Sequence, residues 1–181
     1  PAGPQLYTWT AIVPAGTKYT QVGYSGNGNW VKTDQWCVTL GTGTTVAFGN
    51  QLFVDLNGNG IKDGSDWGYD GVTVKLYADA NEDGTPDGAA LKTTTTSGGG
   101  FYNFANLAAG KYLAQIENAP SWMYVVPKNG GDPDNNIDDD NNGLSQSGTT
   151  IKGGTITLSV GGEPGGTSYN STYDFAVYKN N

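Results

Sequence analysis

The stretch that decides the fold runs Val72-Thr73-Val74-Lys75-Leu76-Tyr77. Apolar and polar residues alternate along it, so every second side chain points to one face, namely Val72, Val74 and Leu76. The segment 111–116 offers a similar face with Tyr112, Ala114 and Ile116. Alternation with a period of two is typical of β-strands that bury one face.

Short runs of this kind recur along the chain and are separated by Gly, Asn, Asp and Pro, whereas helical periodicity is hard to find. This pattern predicts an all-β sandwich or barrel. The predicted strands are Leu6–Val13, Lys18–Gly23, Trp30–Leu40, Thr44–Phe48, Gln51–Asp55, Val72–Ala78, Ala90–Thr96, Phe101–Ala105, Gly110–Asn118, Trp122–Pro127, Gly154–Val160 and Thr172–Tyr178.

The composition excludes several classes of function. Among 181 residues there are 17 Asp and Glu against 9 Lys, with no Arg and no His, and the net charge is −8. The lack of His removes the commonest general base and transition-metal ligand, and the negative charge argues against nucleic acid as a partner. The single Cys37 forbids an internal disulfide and a thiolate zinc site. Because no run of 18 apolar residues exists, we expect no membrane insertion.

An internal echo suggests how the chain is divided. Tyr7 and Tyr19 fall on Tyr112 and Tyr124 when the two segments are aligned at a spacing of about 105 residues. This echo predicts that residues 1–49 are the C-terminal half of a preceding β repeat and that 50–181 form a whole one. Half a module cannot bury its apolar face alone. It must therefore pack on the main domain or share strands with another chain, and sharing would build head-to-tail filaments.

The acidic residues are clustered, with eight in 55–87 and five in 132–140. Clustered carboxylates repel one another unless a cation lies among them. The first cluster follows the spacing of a calcium loop, with Gly60 at the sharp turn in position 6 and the Ile61 carbonyl at position 7. Its oxygen-bearing side chains, at positions 1, 3, 5, 9 and 12, are Asp55, Asn57, Asn59, Asp63 and Asp66.

Two further segments are weaker matches to the same pattern. The second has no acid at position 12, so Asp70 or an acid from 132–140 is expected to complete it. Its predicted ligands are Asp79, Asn81, Asp83, Thr85 (through its carbonyl) and Asp87. The third fits several registers, and its candidate ligands are Asp132, Asp134, Asn136, Asp138 and Asp140. Together the three segments predict two to three calcium ions, with an ion-free turn or a solvated acidic loop as the alternative.

Other features indicate alternative functions more weakly. Trp30 and Trp36, together with the many tyrosines, would suit a carbohydrate-binding module, although such aromatic residues more often belong to a core. A glycoside hydrolase with two acids is disfavoured, because every acidic cluster has ligand spacing. The sequence Asn170-Ser171-Thr172 is a glycosylation sequon, and it leaves open whether Asn170 is modified.

Several motifs in combination resemble the calcium-binding B repeats of Sdr-type bacterial surface adhesins. The resemblance covers about 50–178. It is carried by Gln51-Leu52-Phe53-Val54-Asp55-Leu56-Asn57-Gly58-Asn59-Gly60, Asp70-Gly71-Val72, Gly100-Phe101-Tyr102-Asn103-Phe104, Gly110-Lys111-Tyr112 and Gly131-Asp132-Pro133-Asp134.

The resemblance implies an immunoglobulin-like (Cna-B type) β-sandwich whose calcium loops stiffen a rod, here preceded by a partial β module, and it implies no catalysis. Related domains carry a Lys–Asn isopeptide bond, which we do not expect because Gln51–Asp55 contains no Lys. We expect a secreted bacterial protein at the cell surface. The expected partners are neighbouring repeats or identical subunits, and a host or matrix ligand or a glycan.

Overall fold

A computed structural model describes residues 45–127 and 132–179. The predicted strands Leu6–Val13, Lys18–Gly23 and Trp30–Leu40 lie outside these residues, as does most of the internal echo. Cys37, Trp30 and Trp36 also lie outside them. The roles expected of the N-terminal segment therefore stay predictions.

The described residues contain twelve strands and two short 3-10 turns, Pro133–Asn135 and Pro164–Gly166. The strands are β1 (Val46–Phe48), β2 (Leu52–Val54), β3 (Trp67–Gly68), β4 (Thr73–Ala78), β5 (Lys92–Thr95), β6 (Phe104–Leu107), β7 (Gly110–Glu117), β8 (Met123–Val125), β9 (Gly143–Ser147), β10 (Thr150–Leu158), β11 (Tyr169–Asn170) and β12 (Phe175–Lys179).

The strands form three sheets around one main core, and Phe53, Val126 and Ala176 form a second, small cluster. The five-stranded sheet has the order β5-β4-β7-β10-β9, the four-stranded sheet β3-β2-β12-β8 and the three-stranded sheet β11-β1-β6. Apolar side chains from all three sheets share a single buried cluster. This architecture confirms the predicted all-β, immunoglobulin-like sandwich.

The alternating segments bury the faces that the sequence predicts. Val72, Val74 and Leu76 are buried, and so are Tyr112, Ala114 and Ile116 on the neighbouring strand β7. Strands β4 and β7 pair in antiparallel register from Thr73 opposite Glu117 to Ala78 opposite Tyr112. The two faces therefore lie side by side and form the centre of the five-stranded sheet.

The first and last segments of the sandwich run side by side in parallel. In β1, Phe48 pairs with Asn170 of β11, and in β2 Leu52 pairs with Phe175 of β12. Gly49 connects β1 to β2 at a φ of 145°, and a Cβ there would lie 2.4 Å from the Tyr102 carbonyl oxygen. Only glycine fits at this position. It lets the chain pass from β1 in the three-stranded sheet to β2 in the four-stranded sheet.

The boundary of the sandwich lies earlier than the sequence predicts. The chain divides into two compact units between Gly43 and Thr44. Strand β1 pairs with β6 and with β11, and its Phe48 is fully buried in the shared core. The predicted junction at Gly49-Asn50 therefore lies inside the sandwich, where these two residues connect β1 in one sheet to β2 in another.

Several strands differ from their predicted bounds. Three strands, β3, β9 and β11, have no counterpart in the prediction. Strand β10 begins four residues earlier than predicted, and β6 begins three residues later, after Phe101 has formed isolated bridges with Gln51 and Ser97. These differences fall on short or polar segments, in which alternation is weak.

We expect Phe48→Ala to destabilise the sandwich by about 3–5 kcal/mol, because the fully buried ring packs on Phe104 and Tyr173. Urea unfolding would measure the loss. Leu144→Ala, which truncates a side chain that is 53% exposed, is the control and should change stability by about 0.5 kcal/mol or less. Equal effects of the two substitutions would place β1 outside the core.

Candidate metal centres

Loop 1, which comprises residues 55–66, follows directly after β2 and is organised around one buried carboxylate. Asp55 is 2% exposed. Its Oδ1 accepts the amide of Gly58 at 2.6 Å and its Oδ2 accepts the amide of Gly60 at 2.7 Å. Both glycines have positive φ, 69° and 78°, and such angles let the chain wind around the carboxylate.

Three of the remaining predicted side chains of loop 1 are bonded to one another, and the fourth, Asp66, closes the loop. Asn57 and Asn59 donate their Nδ2 groups to the two oxygens of Asp63, at 3.1 and 2.8 Å. Asp66 closes the loop, since it accepts the amide of Leu56 at 2.9 Å and that of Asp63 at 3.0 Å. The side chains of Asn57, Asn59 and Asp63 are therefore bonded to one another, whereas those of Asp55 and Asp66 hold backbone amides of the loop.

Loop 2, which comprises residues 79–87, repeats three hydrogen bonds of loop 1 at the same spacing. Asp79 accepts the amide of Gly84, as Asp55 accepts that of Gly60. The side-chain oxygen at position 3 accepts the amide of position 5, and that at position 5 accepts the amide of position 7. These pairs are Asn57–Asn59 and Asn59–Ile61 in loop 1, and Asn81–Asp83 and Asp83–Thr85 in loop 2.

Loop 2 closes without an acid at position 12. Asp87, at position 9, accepts the amide of Ala80 at 2.6 Å, which is the bond that Asp66 makes to Leu56 in the longer loop. Asp70, which the sequence offers as one way to complete loop 2, accepts the amides of Gly99 and Gly100 in a turn outside the loop.

Asp79 carries the clearest sign of a missing ligand. Its side chain is fully buried, and Oδ2 accepts the Gly84 amide and the hydroxyl of Thr155, which β10 supplies. Its Oδ1 has no hydrogen-bond partner, and no other buried side-chain oxygen or nitrogen in 45–127 and 132–179 is left in this state. An unpaired, desolvated carboxylate oxygen is costly, and a cation would remove that cost.

The predicted ligands of the third segment separate into two groups. Asp132 accepts the amide of Asp134 at 3.0 Å and caps the turn Pro133–Asn135. Asp134 accepts the amide of Thr157 on β10 at 2.8 Å. Asn136 accepts the Nδ2 group of Asn170 at 3.5 Å. Each residue of this first register, Asp132/Asp134/Asn136, therefore has a different partner.

The second group, Asp138 and Asp140, lies near a buried acid that the sequence analysis missed. Asn50 donates to Asp138 at 2.6 Å and to Asp174 at 3.3 Å. Asp174 also accepts the amide of Gln51 at 2.9 Å, and its own amide donates to Asn142. Burial raises the pKa of Asp174 well above its ordinary value, and the charges of the nearby acids Asp138, Asp139 and Asp140 raise it further.

Like charges also affect other members of the segment. Burial raises the pKa of Asp140, with a smaller contribution from the charge of Asp138. Burial likewise raises the pKa of Asp134, and the negative charges of Asp132 and Glu163 raise it further. A backbone bond from the Lys62 amide to the Asp139 carbonyl, at 2.7 Å, connects this acidic segment to loop 1. Negative charge therefore accumulates where the segment meets loop 1.

The missed residues had no local signal. Asp174 and Asn50 are 124 positions apart, and Thr155 is 76 positions from Asp79. No set of three or more His, Cys, Asp or Glu side chains within the described residues forms a metal-binding group by itself. A cation in these loops would therefore need amide or carbonyl oxygens as well, and Ca²⁺ accepts both.

The asparagine of the glycosylation sequon is buried, and the described residues contain no membrane-spanning helix. Asn170 is 1% exposed and its Nδ2 donates to Glu163 at 3.1 Å, so the folded domain does not present the sequon for glycosylation. Within the described ranges, no helix is both long enough and apolar enough to cross a bilayer.

The model of one protein family, described as the SdrD B-like domain, matches residues 46–174. The chain belongs to this family. Serine-aspartate repeat-containing protein D of Staphylococcus aureus (strain Newman) is 34% identical over 113 residues, which are 62% of this chain and 8% of that protein. Serine-aspartate repeat-containing protein F of Staphylococcus epidermidis is 32% identical over 117 residues, which are 65% of this chain and 6% of that protein.

The chain spans less than a tenth of the length of these curated relatives. Among solved structures, the full-length major pilin SpaD from Corynebacterium diphtheriae has a TM-score of 0.45 and 16% identity. That match covers 75% of this chain and 32% of the pilin. Membership of the SdrD B-like family rests on the family model, whose matched range begins with β1 and ends just before β12.

We expect the calcium-free domain to become more stable as the pH falls from 7.5 to 5. The raised pKa of Asp174 means that the folded chain binds more protons than the unfolded chain above the ordinary value of about 3.9. Stability is therefore lost as the pH rises towards the folded pKa. Asp134 and Asp140 act in the same direction.

Urea unfolding in EGTA at several pH values measures the slope of the free energy of unfolding against pH, and Asp174→Asn should reduce this slope. Lys75 and Tyr77 lower the pKa of Glu117, so this group makes the domain less stable as the pH falls, but the loss occurs below pH 5. Glu117→Gln is therefore a control that leaves the slope unchanged. A domain that loses stability on acidification to pH 5 would contradict the expectation.

Proposed function

We propose that this chain is a calcium-stabilised structural module of a secreted bacterial cell-surface protein, that it resists mechanical extension, and that it performs no catalysis. The unpaired, fully buried oxygen of Asp79 is the observation that carries the calcium part of this proposal. The cell-surface setting follows from membership of the SdrD B-like family and from the Sdr relatives.

The residues that would hold calcium are those of the two matching loops. In loop 1 they are Asp55, Asn57, Asn59, Asp63, Asp66 and the carbonyl of Ile61, and in loop 2 Asp79, Asn81, Asp83, Asp87 and the carbonyl of Thr85. A third ion would draw on the acids of 132–140, with Asp174 close by. Bound calcium would supply positive charge among these carboxylates, because the two ion pairs within 45–127 and 132–179 both involve glutamates, Glu117 and Glu82.

The mechanical role follows from the parallel pairing of the second strand, β2, with the last strand, β12. Force applied at the two ends of the sandwich pulls β2 and β12 in opposite directions, because the two strands run parallel. Their hydrogen bonds are then loaded together, in shear, rather than one after another. Loop 1 begins where β2 ends, and the Asp55 amide donates to the Val177 carbonyl at 2.8 Å, so an ion in this loop would fix one end of the strand pair.

The expected partners are neighbouring repeats of the same polypeptide, because the curated relatives are repeat-containing proteins far longer than this chain. Assembly by strand sharing through residues 1–49 stays a prediction, and so do the expected adhesive ligand and the carbohydrate-binding alternative.

Calcium should raise the melting temperature strongly, and removing it with EGTA should lower it. A site that is filled at one hundred times its Kd contributes about 2.7 kcal/mol of stability. Bound calcium, measured by elemental analysis, should amount to two to three ions per chain. A melting temperature that is unchanged between calcium and EGTA would overturn the calcium proposal.

Asp79→Asn should have opposite effects in the two conditions. In EGTA it removes a buried charge and should raise the melting temperature, whereas in calcium it removes a ligand and should abolish the gain of one site. Asp70→Asn is the matched control, because Asp70 caps a turn outside both loops. The control should keep the full calcium response. A shift of the same sign in both conditions would show that Asp79 is not a ligand.

Pulling single molecules by the two ends of the sandwich should require more force in calcium than in EGTA. Attaching the handles at Thr73 and Thr95 instead, which face each other across β4 and β5, peels an antiparallel pair apart bond by bond. That geometry should give a lower force. Equal forces in the two geometries would contradict the role of the β2–β12 pair.

A further inference from the structure

Loop 1 contains two consecutive Asn-Gly pairs, Asn57-Gly58 and Asn59-Gly60. Glycine has no side chain to shield its own backbone nitrogen, so an Asn before Gly is readily attacked by that nitrogen. In most flexible loops this dipeptide is a site of spontaneous deamidation. Here the two pairs occupy positions 3 to 6 of a loop whose shape depends on those residues.

The reaction needs no partner other than water. The Gly nitrogen bonds to the Cγ of the preceding Asn, the bond from Cγ to Nδ2 breaks, and ammonia leaves with the proton that the Gly amide loses. Water then opens the cyclic imide at either of its two carbonyls. One opening gives aspartate and the other gives isoaspartate, and nothing is oxidised or reduced.

One buried carboxylate holds both attacking nitrogens. The Gly58 amide, which would attack Asn57, donates to Asp55 Oδ1 at 2.6 Å. The Gly60 amide, which would attack Asn59, donates to Asp55 Oδ2 at 2.7 Å. A carboxylate that accepts a hydrogen bond from an amide disfavours loss of that amide proton, because the resulting nitrogen anion would lie beside a second negative charge.

The two Asn side chains are also held away from reaction. Their Nδ2 groups donate to the two oxygens of Asp63. Their Oδ1 atoms accept the amides of Asn59 and Ile61, two residues further along the chain. Rotation of either Cγ towards the next nitrogen would break two hydrogen bonds as well as the bond to Asp55.

We propose that Asn57 and Asn59 are latent deamidation sites, and that the Asp55 carboxylate keeps them as amides by holding the Gly58 and Gly60 nitrogens. Loss of this hold modifies the loop irreversibly. Isoaspartate places one extra carbon in the backbone and so destroys the spacing of positions 3, 5 and 6. Aspartate keeps the spacing but adds a negative charge.

The test incubates the whole chain in EGTA at mildly alkaline pH and follows each Asn-Gly pair by peptide mapping with mass spectrometry. A synthetic peptide of residues 54–62 gives the unprotected rate. We expect Asn57 and Asn59 in the folded chain to react about tenfold more slowly than in the peptide, which corresponds to about 1.4 kcal/mol. Equal rates in chain and peptide would overturn the proposal.

Asp55→Asn should accelerate deamidation at Asn57 and Asn59 towards the rate of the peptide. Asp79→Asn is the matched control, because it alters the equivalent carboxylate of loop 2 and should leave both sites slow. The buried pair Asn142-Gly143 reports global unfolding, since Asn142 is bonded to Asp140 and to the Asp174 amide. If Asn57 and Asn59 react no faster in Asp55→Asn than in Asp79→Asn, the proposal is wrong.

If Asn142 also reacts in the Asp55→Asn variant, the variant has unfolded. The proposal then stands or falls with the rates of Asn57 and Asn59 in the unmodified chain compared with the peptide. A further arm adds calcium to the unmodified chain, in which it should slow both sites further, and only this arm rests on the proposed function. Acceleration by Asp55→Asn in EGTA, together with no effect of calcium on the unmodified chain, would support the role of Asp55 and count against the calcium proposal.

Discussion

The parallel pairing of the first two strands with the last two, β1 with β11 and β2 with β12, is the constraint on which the rest of the sandwich depends. Residues more than 120 positions apart must meet, and the other eight strands lie between them in the sequence. The pairing also determines where the acids lie. Asp55 directly follows β2 and Asp174 directly precedes β12, so both buried carboxylates stand at the ends of the paired strands.

The chain stabilises its buried acids with amides rather than with cationic side chains. It has no Arg, and the two ion pairs found among the described residues, Lys75–Glu117 and Lys111–Glu82, involve neither Asp55, Asp79 nor Asp174. Backbone and Asn amides stabilise a carboxylate but leave its full charge in place. Burial raises the pKa values of Asp134, Asp140 and Asp174, and this residual charge on neighbouring acids raises them further. The uncompensated charge is the physical reason for expecting cations here.

Local patterns in the sequence predicted what local interactions form. The alternation at 72–77 and 111–116 marked the central strands, and the spacing of Asp and Asn marked both loops. The short strand β3 and the polar strand β9 carry no comparable alternation, so they were missed. Asp174, Asn50 and Thr155 were missed because their contacts arise only when distant strands pair.

The two loops also show which part of the spacing matters. Loop 2 lacks position 12, yet Asp87 makes the closing bond that Asp66 makes in loop 1. The shared features are the acid at position 1, the side-chain oxygens at positions 3 and 5, and the glycine at position 6. In loop 1 the residue before that glycine is Asn, so the geometry that shapes the loop also creates a reactive dipeptide. The acid at position 1 then serves both purposes, because the bond that winds the loop is the bond that restrains the attacking nitrogen.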